Sequence, residues 1–494
     1  MAKRTNAFDL TLPLLDTEIP AYRMLYEALR AEILDGRLGP GARLPATRDL
    51  ARQYQLSRGT IVNAFELLKS EGYLEGSIGS GTYVSKVLPD ESFHVKAEGD
   101  RHPEIERRPR RRMSAYAKRV HLFPSLERRP SRAFRANVPA LDLFPTGLWA
   151  QIAARRLRQV STNLLLGCDP MGYRPLREAV ADYVTTSRGV RCTTEQIAIV
   201  SGVQEALDLT ARLVLNPGDR VCMENPGYVG AAMVFESIGA KISALAVDHE
   251  GMELRASGLR GARLVYVTPG HQFPLGISMS LPRRLQLLEW ARKSGGLIFE
   301  DDYDSEYRYS GRPVPALQGL DRNGSVLFAG SFSKVLFPSL RLGYLVIPQD
   351  LVDYFAAAKS ITTRHAQLLD QAVLCDFITE GHFGRHLRRM RGVYAERLSA
   401  LLQSAREKLA GWLDISDVEA GLQTVGWLRR GITDESAARA AAARNVDVIP
   451  LSRYTRGRAA REGLQLGFAA VDPREIQRGV KELAQALKAA GSGS

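Results

Sequence analysis

Cysteine is scarce in this chain. Only Cys168, Cys192, Cys222 and Cys375 occur among 494 residues, all far apart. They make neither a metal-ligand spacing nor the dense framework of a small disulfide-stapled domain, so a reducing cytoplasm is the expected setting. No apolar run of about eighteen residues occurs, so no span through a membrane is expected. The first residues are mixed and polar, and no secretory signal core is read there. No internal repeat of fixed period is visible, which argues against a solenoid or propeller.

What is present suits a large globular protein. The length exceeds one compact core and allows two or three domains. Hydrophobic residues make up 45% and charged residues 24%, both ordinary proportions. The net charge is +13, and its placement matters more than its size. Residues 1–85 hold ten basic and ten acidic residues and are neutral as a group. Residues 101–135 hold twelve basic and three acidic residues, a net of +9 that includes Arg107 to Arg112. That stretch lacks periodicity and is rich in Arg and Pro, so residues 86–135 read as a basic linker. It could also touch phosphates, since a charge run serves either purpose.

The residues before the linker carry a local pattern. Leu25, Ala28, Leu29 and Ile33 recur at helical spacing, and Gly36 follows as a stop. Thr47 to Tyr54 reads as a short helix with Leu50, Ala51 and Tyr54 inward. Ser57 can cap a third helix reaching about Ser70, with Ile61, Ala64, Phe65 and Leu68 inward. Two helices joined by a tight turn make a helix-turn-helix. Tyr73-Leu74-Glu75 and Thr82-Tyr83-Val84 then flank a glycine-rich turn, as in a hairpin wing. The ordered blocks Leu44-Pro45-Ala46-Thr47-Arg48-Asp49-Leu50-Ala51, Leu56-Ser57-Arg58-Gly59-Thr60-Ile61, Glu71-Gly72-Tyr73-Leu74 and Gly79-Ser80-Gly81-Thr82-Tyr83-Val84 resemble the winged helix-turn-helix of GntR-type regulators. Residues 15–85 are assigned to this head, with double-stranded operator DNA as its partner. The third helix starts at Ser57, and its first turn presents Arg58, Gly59 and Thr60 to base edges. Arg58 is the candidate for bidentate guanine readout. Thr47 and Arg48 suit phosphate contacts. Gly79 and Gly81 would let the wing backbone approach DNA.

Beyond the linker, helical segments alternate with short apolar strands such as Gln196–Ser201, Arg220–Glu224, Leu264–Thr268, Leu297–Glu300 and Val326–Ala329. That alternation predicts an α/β domain with a mostly parallel sheet over residues 136–490. It carries Ser201-Gly202-Val203-Gln204-Glu205, Asn225-Pro226-Gly227-Tyr228, Glu300-Asp301-Asp302-Tyr303 and Ser331-Phe332-Ser333-Lys334, with Arg341 beyond. In this order the segments resemble the fold-type-I aminotransferases, which use pyridoxal 5'-phosphate. With the head attached, the chain resembles the MocR/GabR group of GntR-type regulators.

The resemblance implies roles. Lys334 would hold the cofactor as a Schiff base. Asp301 would pair with the pyridine nitrogen, with Asp302 as the alternative. Tyr303 would bind the ring hydroxyl, and Tyr228 would stack on the ring. Val203 and Gln204, at a helix start, would bind the phosphate with Ser331, Ser333 and Arg341. A small amine or amino-acid effector would join the cofactor as an external aldimine, and the family's usual assembly is a head-to-tail homodimer. Two alternatives stay open. One is a sensor of the cofactor itself that controls vitamin B6 genes. The other is a genuine aminotransferase with an accessory head.

Three departures bear on the effector. Phe273, in His271-Gln272-Phe273-Pro274, stands where aminotransferases commonly have Asn, a form this regulator group tends to share. Gln465 stands where many relatives place an Arg for the substrate carboxylate, and it brings neither charge nor fork. A tyrosine usual before Asp169-Pro170 is missing, with Gly167 and Cys168 nearby. The expectation is weak transamination at most. A carboxylate, if the effector has one, would then be held by Arg364 or Arg453.

Overall fold

The computed structural model describes residues 20–77, 81–88, 112–123, 132–310, 315–415, 418–429, 431–457 and 461–491. The chain divides into two compact units at Arg111/Arg112.

The first unit is built on three helices, α1 (Ala21–Leu34), α2 (Thr47–Gln53) and α3 (Arg58–Ser70), followed by the antiparallel strands β1 (Leu74–Ser77) and β2 (Gly81–Val84). Leu25, Leu29, Ile33, Leu50, Ile61, Ala64, Phe65 and Leu68 are all buried in one cluster, so the apolar spacing points where helical geometry sends it. Ala51 and Tyr54 are only half-buried, at the rim. Ser57 caps α3, its Oγ accepting from the Thr60 N–H at 3.0 Å. Such a cap is worth about 1 kcal/mol. Residues 41–44 pair with β2 and make the wing three-stranded at its base. The wing's turn, with Gly79, lies outside the described residues.

The span read as a linker is partly folded. Ala115–Arg119 forms a short helix capped by Ser114, and Arg119 donates to the Ser237 carbonyl at 2.9 Å. Ala133 and Phe134 are fully buried in the core of the second unit. Five helical residues and one anchoring pair are too short a pattern for periodicity to register.

The second unit contains an eight-stranded sheet. Its strands are β3 (Ile197–Val200), β4 (Arg220–Asn225), β5 (Lys241–Asp248), β6 (Gly251–Met252), β7 (Ala262–Val267), β8 (Leu297–Asp302), β9 (Val326–Ser331) and β10 (Gly343–Val346). The order is β3-β10-β9-β8-β7-β4-β5-β6. The five strands from β9 to β5 run parallel, whereas β10 lies antiparallel between β3 and β9. Ile197–Val200 and Val326–Gly330 are buried on both faces, as helix-covered strands require. A second, antiparallel sheet has the order β11 (Leu413–Ile415), β12 (Gln423–Leu428), β14 (Gly463–Gly467) and β13 (Ile449–Pro450). The helix Pro473–Gly491 buries Ile476, Val480, Leu483 and Leu487, one helical stripe. No helix among the described residues is long and apolar enough to cross a membrane.

Candidate functional site

The C-terminal ends of the parallel strands bring the predicted residues together, the usual place for a ligand in an α/β sheet. Asp301 lies at the end of β8, Lys334 just beyond β9, Tyr228 beyond β4, and the 268–273 turn beyond β7.

Lys334 is half-buried, and its Nζ donates to the Asn137 carbonyl at 2.9 Å. Burial lowers its ammonium to about 8, despite the opposing pull of Asp304 and Asp301, with Arg341 lowering it further. Asp301 accepts from the Tyr266 hydroxyl at 2.7 Å through Oδ2, and its Oδ1 is buried with no partner among the described residues. Burial raises this carboxyl to about 7. Asp302 differs completely. Its Oδ2 accepts from Arg188 Nε at 2.7 Å, and Ser305 Oγ donates to its Oδ1. Successive strand residues point to opposite faces, so neighbouring acids reach different partners. Tyr303 lies 3.0 Å from His271 Nδ1, which lies 2.8 Å from Asp304 Oδ1. All three residues are buried.

Gly202 caps the helix Val203–Val214 at φ +120°, a conformation that favours glycine. A Cβ there would meet the Arg341 guanidinium at 3.2 Å, so that guanidinium lies against the helix start. Arg341 itself has φ +49°, and among the described residues no carboxylate pairs with it. Ser333 Oγ is buried without a partner, and its N–H is 3.2 Å from Ser331 Oγ. Below the helix start, Glu205 accepts from the Ser201 N–H and pairs with the buried Lys359 at 3.0 Å. Helix start, guanidinium and free hydroxyl form an anion cradle.

Tyr228 is half-buried. It lies edge-on to Phe273, with ring centroids 5.7 Å apart, and Phe273 is in turn edge-on to Tyr303 at 5.8 Å and Tyr454 at 5.0 Å. Tyr228, Glu224, Arg453 and Tyr454 line a cavity of about 150 Å³. Arg453 is exposed at that cavity. Arg364 is exposed too, and makes no hydrogen bond or ion pair to the Lys334 group among the described residues. Gln465 is fully buried and accepts from the Tyr454 hydroxyl at 2.8 Å. The Gly167–Asp169 segment lines a different cavity, about 330 Å³, with Ser161 and Arg177.

The residues that sequence reasoning missed act across the chain. Asn137 serves Lys334 through its backbone. Tyr266 reaches Asp301 from the neighbouring strand, where it pairs in register with Phe299. Glu224, which Thr268 and Gln272 hydrogen-bond, is raised to about 7 by burial.

In the head, Arg48, Ser57, Arg58, Gly59 and Gly81 are exposed, and Thr47 is half-buried. Thr60 is half-buried and its hydroxyl is 2.8 Å from Ser57 Oγ, so it belongs to the cap as well as to the surface. Gly81 has φ +115°, with the Arg43 side chain against it.

Fold and site together define a fold-type-I aminotransferase-like domain joined to a winged helix-turn-helix head. The aminotransferase class I and II family matches residues 137–483, and the gntR family of bacterial regulatory proteins matches residues 21–84. The probable rhizopine catabolism regulatory protein MocR of Rhizobium meliloti is 41% identical over 96% of this chain and 95% of its own. The pyridoxine biosynthesis regulator PdxR of Corynebacterium glutamicum is 30% identical over 95% of this chain and 96% of its own. The solved α-aminoadipate aminotransferase LysN of Thermus thermophilus, bound to a phosphopyridoxyl-leucine, is similar at a TM-score of 0.67. It is 31% identical, over 73% of this chain and 93% of its own. The chain belongs to the MocR-type, GntR-family transcriptional regulators, and its cofactor is pyridoxal 5'-phosphate. The residues present suit that group: a lysine of lowered basicity, a buried carboxylate oxygen awaiting a donor, and a cradle for a phosphate.

Proposed function

We propose that this regulator senses a small amine at the Lys334 pocket and reports it through the head to operator DNA. In this reading Lys334 is the covalent anchor of the cofactor and Asp301 faces the pyridine nitrogen. Tyr303 meets the ring hydroxyl, and Tyr228 packs on the ring. The phosphate rests on the Val203 and Gln204 N–H groups, Ser331, Ser333 and Arg341. One observation carries the reading: Asp301 keeps a buried oxygen without a partner while Asp302 is committed to Arg188. A buried acceptor left unpaired is costly, and a ring N–H would satisfy it.

When bound, pyridoxal phosphate supplies an electrophilic carbon for which an amine can compete with Lys334. The chain's own groups set the terms. Desolvation strips the proton from Lys334 Nζ near pH 8, and Asn137 holds the nitrogen in place. The His271–Asp304 pair orients Tyr303. In the head, exposed Arg58 reads bases, while Thr47, Arg48 and the Ser57 end of α3 fix register on the phosphates. The protein works in the cytoplasm as a head-to-tail homodimer.

The test uses full-length holoprotein and operator DNA at fixed salt. Amines that change the visible band of the bound cofactor are expected to change DNA affinity, and Lys334→Ala is expected to do neither. Similarity to PdxR favours a second reading, in which the cofactor is itself the signal. DNA affinity that responds to pyridoxal phosphate alone, and to no amine, would establish that reading instead. Sustained turnover with a keto acid would make the domain an aminotransferase.

A further inference from the structure

Gln465 sits in the middle of β14 with no exposed surface. One half of its carboxamide receives the Tyr454 hydroxyl, and the other half, Nε2, is buried without a partner among the described residues. Tyr454 packs on Phe273, which packs on both Tyr228 and Tyr303, so the free amide belongs to the same aromatic layer as the cofactor tyrosines. Strand register gives the same placement. Gln465 pairs with Val425, and Gln423 lies two residues before Val425 on the same face of the sheet. Gln423 Oε1 holds the Asn137 N–H at 2.9 Å, and the Asn137 carbonyl holds Lys334. The sheet face that bears Gln465 is therefore the face turned toward Lys334.

The surroundings offer an anion little beyond the surface. Arg453 and Arg456 line the cavity, but Arg453 is exposed to water and Arg456 is paired with Glu236, while Arg341 lies at Gly202. Glu224 lines the same cavity as Tyr454 and keeps its own Oε1 buried and unpartnered. A carboxylate brought to the Gln465 amide would lose water, find in the cavity lining only a water-exposed guanidinium and one already paired, and meet a second acid. A hydroxyl loses much less. It accepts as well as donates, so it can take the hydrogen bond that the Gln465 Nε2 offers.

We propose that Gln465 determines the effector class: its free amide hydrogen-bonds a hydroxyl, so the ligand is an amino alcohol and not an amino acid. This inference rests on the amine-sensing reading above. The test titrates full-length holoprotein with 3-aminopropan-1-ol, propylamine and β-alanine, following the visible band. The alcohol is expected to bind at least about tenfold more tightly than either of the others, the scale of one hydrogen bond made in a buried site. In Gln465→Leu the alcohol should fall to the level of propylamine. In Gln465→Arg, β-alanine should overtake the alcohol. Should the arginine variant misfold, the near-isosteric leucine variant decides. Tighter binding of β-alanine by the parent protein, or an intact alcohol preference in Gln465→Leu, overturns the proposal. If all three amines shift the band equally, only this inference falls. If none does, the amine-sensing reading falls and takes this inference with it.

Discussion

The two units solve recognition in opposite ways. The head keeps the residues proposed to meet DNA outside: Arg48, Arg58 and Gly59 are exposed around a small apolar core. The second unit keeps much of its chemistry inside, where Asp301, Ser333 and Gln465 are buried with polar atoms that no group among the described residues meets. An exposed guanidinium costs little until DNA arrives. A buried unpaired oxygen costs stability at once, and the packed rings around it hold that cost in place. The contrast implies that substitutions in the pocket act strongly and specifically, and those on the reading face act modestly.

The sharpest break would come from Lys334→Ala. The purified variant should lose the borohydride-reducible, lysine-linked visible band entirely. A band that persists would move the anchor to another lysine. The adjacent acids come next. Asp302→Ala should destabilise the fold by about 3–5 kcal/mol, because it removes one partner of a buried ion pair, the carboxylate that Arg188 meets at 2.7 Å. Asp301→Asn should spare much of that stability and weaken cofactor binding instead. Denaturation and cofactor titration of both variants separate the two effects, and a reversed pattern would exchange their roles. A pH series probes the interior further. Burial holds Lys334 at about 8 against its ordinary 10.5, so the neutral amine predominates above about 8. The rate of cofactor attachment to apoprotein should rise with pH to a plateau, with its midpoint near 8. A midpoint near 10.5 would show that the pocket does not desolvate the lysine.

On the exposed side, Arg58→Ala should weaken specific operator binding by about 1–3 kcal/mol and relax base choice at one position. Unchanged affinity at matched salt would remove Arg58 from base readout. The smallest effect is expected at Ser57→Ala. Loss of the cap should cost about 1 kcal/mol of head stability, measured by thermal melting, and little in base preference.

The same contrast explains what could be read from the chain in advance. The head follows local rules. Apolar spacing located all three helices within a residue or two, and Ser57 marked its own cap. Strands β3, β4, β7, β8 and β9 of the large sheet announced themselves as apolar runs. Strands β10, β11 and β13 are only two to four residues long, so periodicity had little to register. In the pocket, the family resemblance pointed to Lys334, Asp301, Tyr303 and Tyr228, and the fold brings these four to the same ends of the parallel strands. The resemblance left Asp301 and Asp302 open, because only partners distant in the chain, Tyr266 and Arg188, separate them. Asn137 was invisible because any residue has a carbonyl. The arginines weighed for a carboxylate were chosen by their place in the chain; both stand exposed, and Arg453 lines the cavity that Tyr228 and Tyr454 share.

The contact between Gly202 and Arg341 has a consequence for how this protein can change. The two positions lie far apart in the chain, yet a methyl group at 202 would press on the guanidinium at 341. A larger residue at 202 would therefore displace the guanidinium as well as strain the backbone at φ +120°, so the cradle is closed to a side chain there on two separate counts.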